Sequence, residues 1–120
     1  MATIKSYSDL QQSKKLAEIL PLESADMCYS NDGTAIKIDA NPYLIRKKMW
    51  QDYVVEVISC WSLAALLGVL PKIINNETLF IETSAALWHV GYRNVYTARA
   101  DNPVDACYEL ILKLHELKLL

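Results

Sequence analysis

From Cys60 to Leu70 the chain reads Cys-Trp-Ser-Leu-Ala-Ala-Leu-Leu-Gly-Val-Leu, with Ser62 as its one hydroxyl and no charge at all. A helix this apolar has almost no face to offer water, so it must be covered by the rest of the fold, a partner chain or a membrane. Ser59 fits its N-cap and Pro71 its stop, which predicts a helix over residues 60–70. The preceding Tyr53-Val54-Val55-Glu56-Val57-Ile58 is β-branched and reads as a strand. Residues 54–74 together approach bilayer length, but Glu56, Ser59, Ser62, Pro71 and Lys72 interrupt them, and a charge near the centre of a membrane helix is costly. A strand followed by a central buried helix is the expectation, with no membrane association.

The chain has 120 residues, enough for one domain over 1–120 to bury a core without disulfides or a structural metal. Apolar residues make up 52% and charged residues 22%, with a net charge of −2, which excludes a disordered chain and gives no general pull toward nucleic acid. Cys28, Cys60 and Cys107 are odd in number and widely spaced, so they read as reduced thiols of a cytoplasmic protein rather than a disulfide framework or zinc knuckle. The first residues have no secretory pattern of basic start, apolar core and small-residue cleavage site.

The C-terminal segment carries the clearest helix signals. Asn102 fits an N-cap, Pro103 the first helical position, and Asp105 the positive end of the helix dipole. Cys107, Leu110, Ile111, Leu114 and Leu117 then share one face, opposite Asp105, Glu109, Lys113 and Glu116, over a helix at 103–117. Tyr108, Leu112, His115 and Leu119 form a second, largely apolar stripe, wider than one packed face needs.

Ser8 and Gln11 match a capping box for a helix at 8–20, with Leu10, Leu16, Ala17, Ile19 and Leu20 on its apolar side and Pro21 beyond its end. Residues 22–31 read as an irregular connection. A turn at Asn31-Asp32-Gly33 precedes an alternating strand at 35–39. Residues 43–49 fit a strand, a turn of helix or an exposed loop equally. Asn75-Asn76-Glu77 is a turn signal, and residues 78–83, 87–92 and 95–98 read as three strands whose short connections favour an antiparallel meander. Trp88, Val90 and Tyr92 would share its apolar face. The expected class is therefore α+β: one domain with a mainly antiparallel sheet packed with three helices near 8–20, 60–70 and 103–117.

No catalytic, cofactor-binding or metal-ligating set stands out. Cys60 in the first turn of a helix would have its thiolate favoured by the amide dipoles, with His89 as a base in principle. A small thiol in so apolar a segment is nevertheless ordinary packing. His89 and His115 are too far apart for a local metal pair, and Cys28 or Asp26 would join them only through tertiary folding. Arg46, Lys47 and Lys48 with Trp50, Tyr43 and Tyr53 make the one basic cluster interleaved with aromatics, the chemistry that holds single-stranded nucleic acid. Lysines on a solvated loop or edge strand explain the same residues. The glycines are isolated, so no phosphate-cradling loop is present.

The remaining feature is apolar surplus. Trp61, Leu63 and Leu67 on the apolar helix, with Tyr108, Leu112, His115 and Leu119 on the last one, either find cover inside the domain, the two helices packing on each other, or form an interface, most simply in a twofold homodimer.

The run Cys60-Trp61-Ser62-Leu63-Ala64-Ala65-Leu66-Leu67 through Leu70-Pro71, and Ala100-Asp101-Asn102-Pro103-Val104-Asp105-Ala106-Cys107 with its helix, are joined by Ser13-Lys14-Lys15-Leu16 and Ala25-Asp26-Met27. In these stretches the chain resembles a group of small uncharacterised proteins of gut Bacteroidales genomes, often in phage or mobile-element settings. The resemblance implies a small cytoplasmic accessory protein and supplies no functional residue. The function expected from sequence is a non-enzymatic interaction protein. Nucleic-acid binding through Arg46, Lys47, Lys48 and Trp50 is the alternative, and a thiol enzyme using Cys60 the third.

Overall fold

The computed structural model describes residues 5–29, 35–37 and 58–120, with only the backbone of 35–37. In chain order the elements are α1 (Leu10–Ala17), a 3-10 turn (Leu22–Ser24), β1 (Met27–Tyr29), β2 (Ala35–Lys37), β3 (Ile58–Cys60), α2 (Leu63–Val69), β4 (Ile73–Ile74), β5 (Glu77–Thr78), β6 (Phe80–Ser84), β7 (Leu87–Tyr92), β8 (Tyr96–Ala100) and α3 (Pro103–Glu116). The fold is α+β. Among the described residues every strand pairing is antiparallel, in sheets of order β2-β1-β3, β4-β5 and β6-β7-β8.

The meander formed by β6, β7 and β8 appears where the short connections place it. Its first hairpin turns on Ala85-Ala86 between the paired Ser84 and Leu87, and its second closes at Tyr92 and Tyr96. Val90 and Tyr92 are buried and Trp88 half-buried on the side covered by α3, as the alternation predicts. Helix α3 lies across β7 and β8, leaving every residue of β6 at least partly exposed.

The predicted start of α3 holds. The Asn102 side chain accepts the Asp105 N–H at 2.8 Å, and Pro103 occupies the first turn. Val104, Ala106, Cys107, Leu110, Ile111 and Leu114 are all fully buried. Each large aliphatic among them contributes about 1.5–3 kcal/mol by leaving water. Leu117, expected on the same face, is instead the C-cap and 45% exposed.

Helix α1 ends at Ala17, short of residue 20, the expected strand 78–83 divides into β5 and β6, and three further differences follow from tertiary hydrogen bonds. Helix α1 is capped by Asp9, whose carboxylate accepts the Gln12 N–H while the Gln12 side chain accepts the Asp9 N–H. Ser8 is freed from that role and buried, its hydroxyl 2.8 Å from that of Ser13 and accepting the Trp61 N–H at 3.0 Å. Residues 22–31 are not wholly irregular, since β1 forms between β2 and β3.

The third difference concerns the apolar helix. Strand β3 runs through Cys60, and the N-cap is Ser62, not Ser59. Helix α2 is consequently seven residues long, packs on α3 and the 3-10 turn, and buries Leu66. Ala64 and Gly68 face solvent, so the helix escapes full coverage by showing its smallest residues rather than polar ones. No helix among the described residues is long and apolar enough to cross a membrane.

One hydrophobic cluster joins Leu16 of α1, Leu66 of α2, Val90, Tyr92 and Ala98 of the meander and the inner face of α3. Trp61 lies within it, fully buried, with its indole N–H donating to Ser24 Oγ at 2.9 Å. The three helices and the meander thereby share one core.

Candidate functional site

An open groove of about 570 Å³ lies beside β8, lined by Gln12, Leu87, Tyr96, Ala98, Arg99, Ala100, Asp101, Asp105 and Glu109. Ala98 pairs with buried Val90, so Tyr96, Ala98 and Ala100 belong to the helix side of the sheet and Arg99 to the other. The lining draws on both faces of β8 and on Leu87 at the start of β7. Strand β8 pairs with β7 alone among the described strands, and alternate residues of such an edge direct N–H and C=O groups away from their neighbour.

The opposite wall comes from α3 and α1. Asp105 and Glu109 are one turn apart on α3, and Lys113 continues the row with its ammonium 5.7 Å from the centre of the Tyr96 ring. Three carboxylates, Asp101, Asp105 and Glu109, thus face one guanidinium, Arg99. Among the described residues, neither Asp101 nor Glu109 enters an ion pair.

Asp105 is the best anchored of these groups. Its Oδ1 accepts from Lys5 Nζ and Gln12 Nε2, each at 2.8 Å, and its Oδ2 accepts from Asn102 Nδ2 at 2.8 Å. Burial by itself would raise its pKa, but the Lys5, Gln12 and Asn102 hydrogen bonds outweigh that and hold it below 3.8. For Lys5, burial works downward and is outweighed by Asp105 and Asp9, so its pKa lies above 10.5. Through Lys5 and Gln12 the start of α1 is joined to the first turn of α3, a helix distant in sequence.

The structure separates the residues singled out from sequence. Trp61 is enclosed by its own chain, so it offers no side chain to a partner. Leu63, Leu67 and Tyr108 are half-buried against the core, and Leu112 is half-buried. His115 and Leu119 are exposed beyond them. Helices α2 and α3 therefore meet within one molecule and use part of the apolar surplus internally. Arg46, Lys47, Lys48 and Trp50 lie outside the described residues.

Cys60 loses the argument for its reactivity. It sits in β3, not in the first turn of a helix, and burial pushes its thiol up to about 12. His89 belongs to another sheet and places Nε2 3.3 Å from the Ser84 carbonyl oxygen. Among the described residues no group of three His, Cys, Asp or Glu side chains is placed to hold a metal.

The groove itself was missed in sequence because Asp105, Glu109 and Lys113 look like the solvated face of any amphipathic helix. Their four-residue spacing was visible, but the strand edge beside them was not. No family model, curated protein or solved structure matches the chain.

Proposed function

We propose that this chain is a non-enzymatic protein-interaction module that receives an extended segment of a partner along the edge of β8. The observation that carries this reading is the groove itself, with an edge strand on one side and a helix wall on the other. Strand addition gains affinity from main-chain hydrogen bonds and specificity from alternate side chains. Tyr96, Ala98 and Ala100 supply a small apolar floor, and the row on α3 supplies charge. An accessory role without catalysis agrees with Cys60 and Cys107 as buried thiols pushed up to about 12. Thiols rather than disulfides at all three cysteines also favour the cytoplasmic setting.

The test is chemical-shift mapping of the labelled full chain with short alternating peptides, beside the same peptides N-methylated on alternate amides. Shifts along β8 that vanish with N-methylation support strand addition. Shifts elsewhere, or equal binding by the methylated peptides, would count against it.

Self-association is a second reading, favoured by Leu117, Leu119 and Leu120, which stand exposed at the end of α3. Sedimentation velocity across micromolar concentrations tests it. A monomer throughout removes it.

A further inference from the structure

The N-terminal segment is fastened so that one cation reaches the groove. Tyr7 bridges to Ser62, the Ser8 N–H donates to the Trp61 carbonyl at 2.9 Å, and the Leu63 N–H donates to the Ser6 carbonyl at 3.1 Å. This register carries Lys5 to the end of the groove, where its ammonium donates to Asp105 at 2.8 Å, Gln12 at 2.9 Å and Asp9 at 3.1 Å. Asp105 and Gln12 are themselves groove residues.

Resting on the strand-addition reading, we infer that the partner segment carries a basic side chain, and that Lys5 is its intramolecular competitor at Asp105. Three observations on the groove lead there. Asp101 and Glu109 are carboxylates outside any ion pair among the described residues, beside an Asp105 already occupied by a primary ammonium. Gln12 and Asn102 hold the Asp105 carboxylate in place without help from Lys5, so the position survives its departure. The Lys5 side chain is 27% exposed, so an incoming cation can exchange with it from solvent. The charged groups around this exchange are Asp9, Asp101, Asp105 and Glu109, with Arg99 on the strand side and Lys113 one turn beyond Glu109, over Tyr96.

At Asp105 one ion pair is exchanged for another. A lysine or arginine of the partner replaces Lys5 at Asp105, while a second basic residue two positions along an extended chain meets Glu109 or Asp101. The preference is electrostatic and weakens with salt, as expected of partly exposed groups.

The experiment uses the full chain, its Lys5→Met variant and three N-acetylated heptapeptides alternating valine with lysine, glutamine or glutamate. On the wild type, the lysine peptide should bind best and the glutamate peptide worst, and only the lysine peptide should shift the amides of residues 5–8. Lys5→Met should tighten the lysine peptide about 3-fold to 5-fold, the scale of an exposed ion pair, and leave the glutamine peptide unchanged. A thermal melt shows whether the variant remains folded, and the wild-type shifts stand without it. Equal binding of all three peptides along β8, or a lysine peptide no tighter in folded Lys5→Met, would overturn the competitor while leaving strand addition intact. Binding by none of them would remove both.

Discussion

Asp26 grips both ends of the Ser62 hydrogen-bonding inventory: its carboxylate accepts the Ser62 N–H at 2.9 Å and the Ser62 hydroxyl through its other oxygen. The same hydroxyl oxygen accepts the Ala65 N–H and so caps α2. A residue before β1 thereby fixes where a helix begins thirty-six positions later. Asp26→Ala should cost about 1.5–3 kcal/mol, the range for hydrogen bonds to a charged group. Urea unfolding of the two proteins measures it. A loss below a few tenths of a kcal/mol would show that Ser62 caps α2 unaided.

Two turns among the described residues hold the left-handed region with neither glycine nor asparagine. Ala85 and Ala86 have φ of 54° and 64° in the two-residue β6–β7 loop, and Lys118 has φ of 60° just past α3. At that end the Lys118 N–H donates to the His115 carbonyl and the Leu119 N–H to the Leu114 carbonyl, the bonding of a Schellman motif. Non-glycine residues lose roughly 1 kcal/mol in this region. Ala85→Asn with Ala86→Gly, and separately Lys118→Gly, should each raise the melting temperature by about 2–8 °C.

The two well-described glycines should respond oppositely to alanine. A Cβ on Gly91 would meet the Tyr96 carbonyl oxygen at 2.3 Å and Thr97 Cα at 2.6 Å, both backbone atoms of the paired strand. Gly91→Ala should destabilise by about 1–3 kcal/mol. Gly68, exposed on α2, has nothing within 4 Å of such a Cβ, and Gly68→Ala should stabilise by about 0.5–1 kcal/mol. Paired denaturation curves decide both signs.

The Lys5–Asp105 pair shapes stability at both ends of the pH scale. Asp105 is depressed when folded, so its contribution is present above the ordinary value of 3.8 and is lost as pH falls through the folded value. Lys5 is raised, so its contribution is complete below 10.5 and is lost as pH rises through its folded value. Denaturation midpoints followed against pH should show a flatter acid limb in Asp105→Asn and a shallower alkaline limb in Lys5→Met. The alkaline slope left in Lys5→Met belongs partly to Tyr29 and Tyr92, which burial pushes up to about 12.

Buried thiols should resist labelling. Cys60 and Cys107 are fully buried and pushed up to about 12, Cys60 by burial with the nearby Cys28 and Asp26, Cys107 by burial alone. An aromatic disulfide reagent at pH 8 should titrate them only after denaturant is added. Stoichiometric reaction of Cys60 in the folded chain would reopen the case for a nucleophile.

Legibility followed the range of the interaction that decides each feature. Asn75-Asn76 was readable as a turn because asparagine tolerates the φ values of 51° and 66° found there. Ala85-Ala86 performs the same turn with no compositional trace. Asn102 and Pro103 were readable because cap and first turn adjoin. Local pattern pointed to Ser59 and Ser8 as N-caps, but the distant Asp26 holds Ser62 in that role, and Ser8 is drawn under Trp61, leaving Asp9 to cap α1.

By itself, the sequence determined the α+β class, the meander, and the start and buried face of α3, because periodicity and capping act within a few residues. Tertiary structure decided that Trp61 belongs to the core, that Cys60 lies in a strand, and that Lys5 meets Asp105 across a hundred positions. It also set the polar row of α3 beside the edge of β8, and so turned a solvated face into one wall of a groove. The physical reason is that caps and periodicities are local free energies, whereas a groove is a property of two surfaces that only the packed chain brings together.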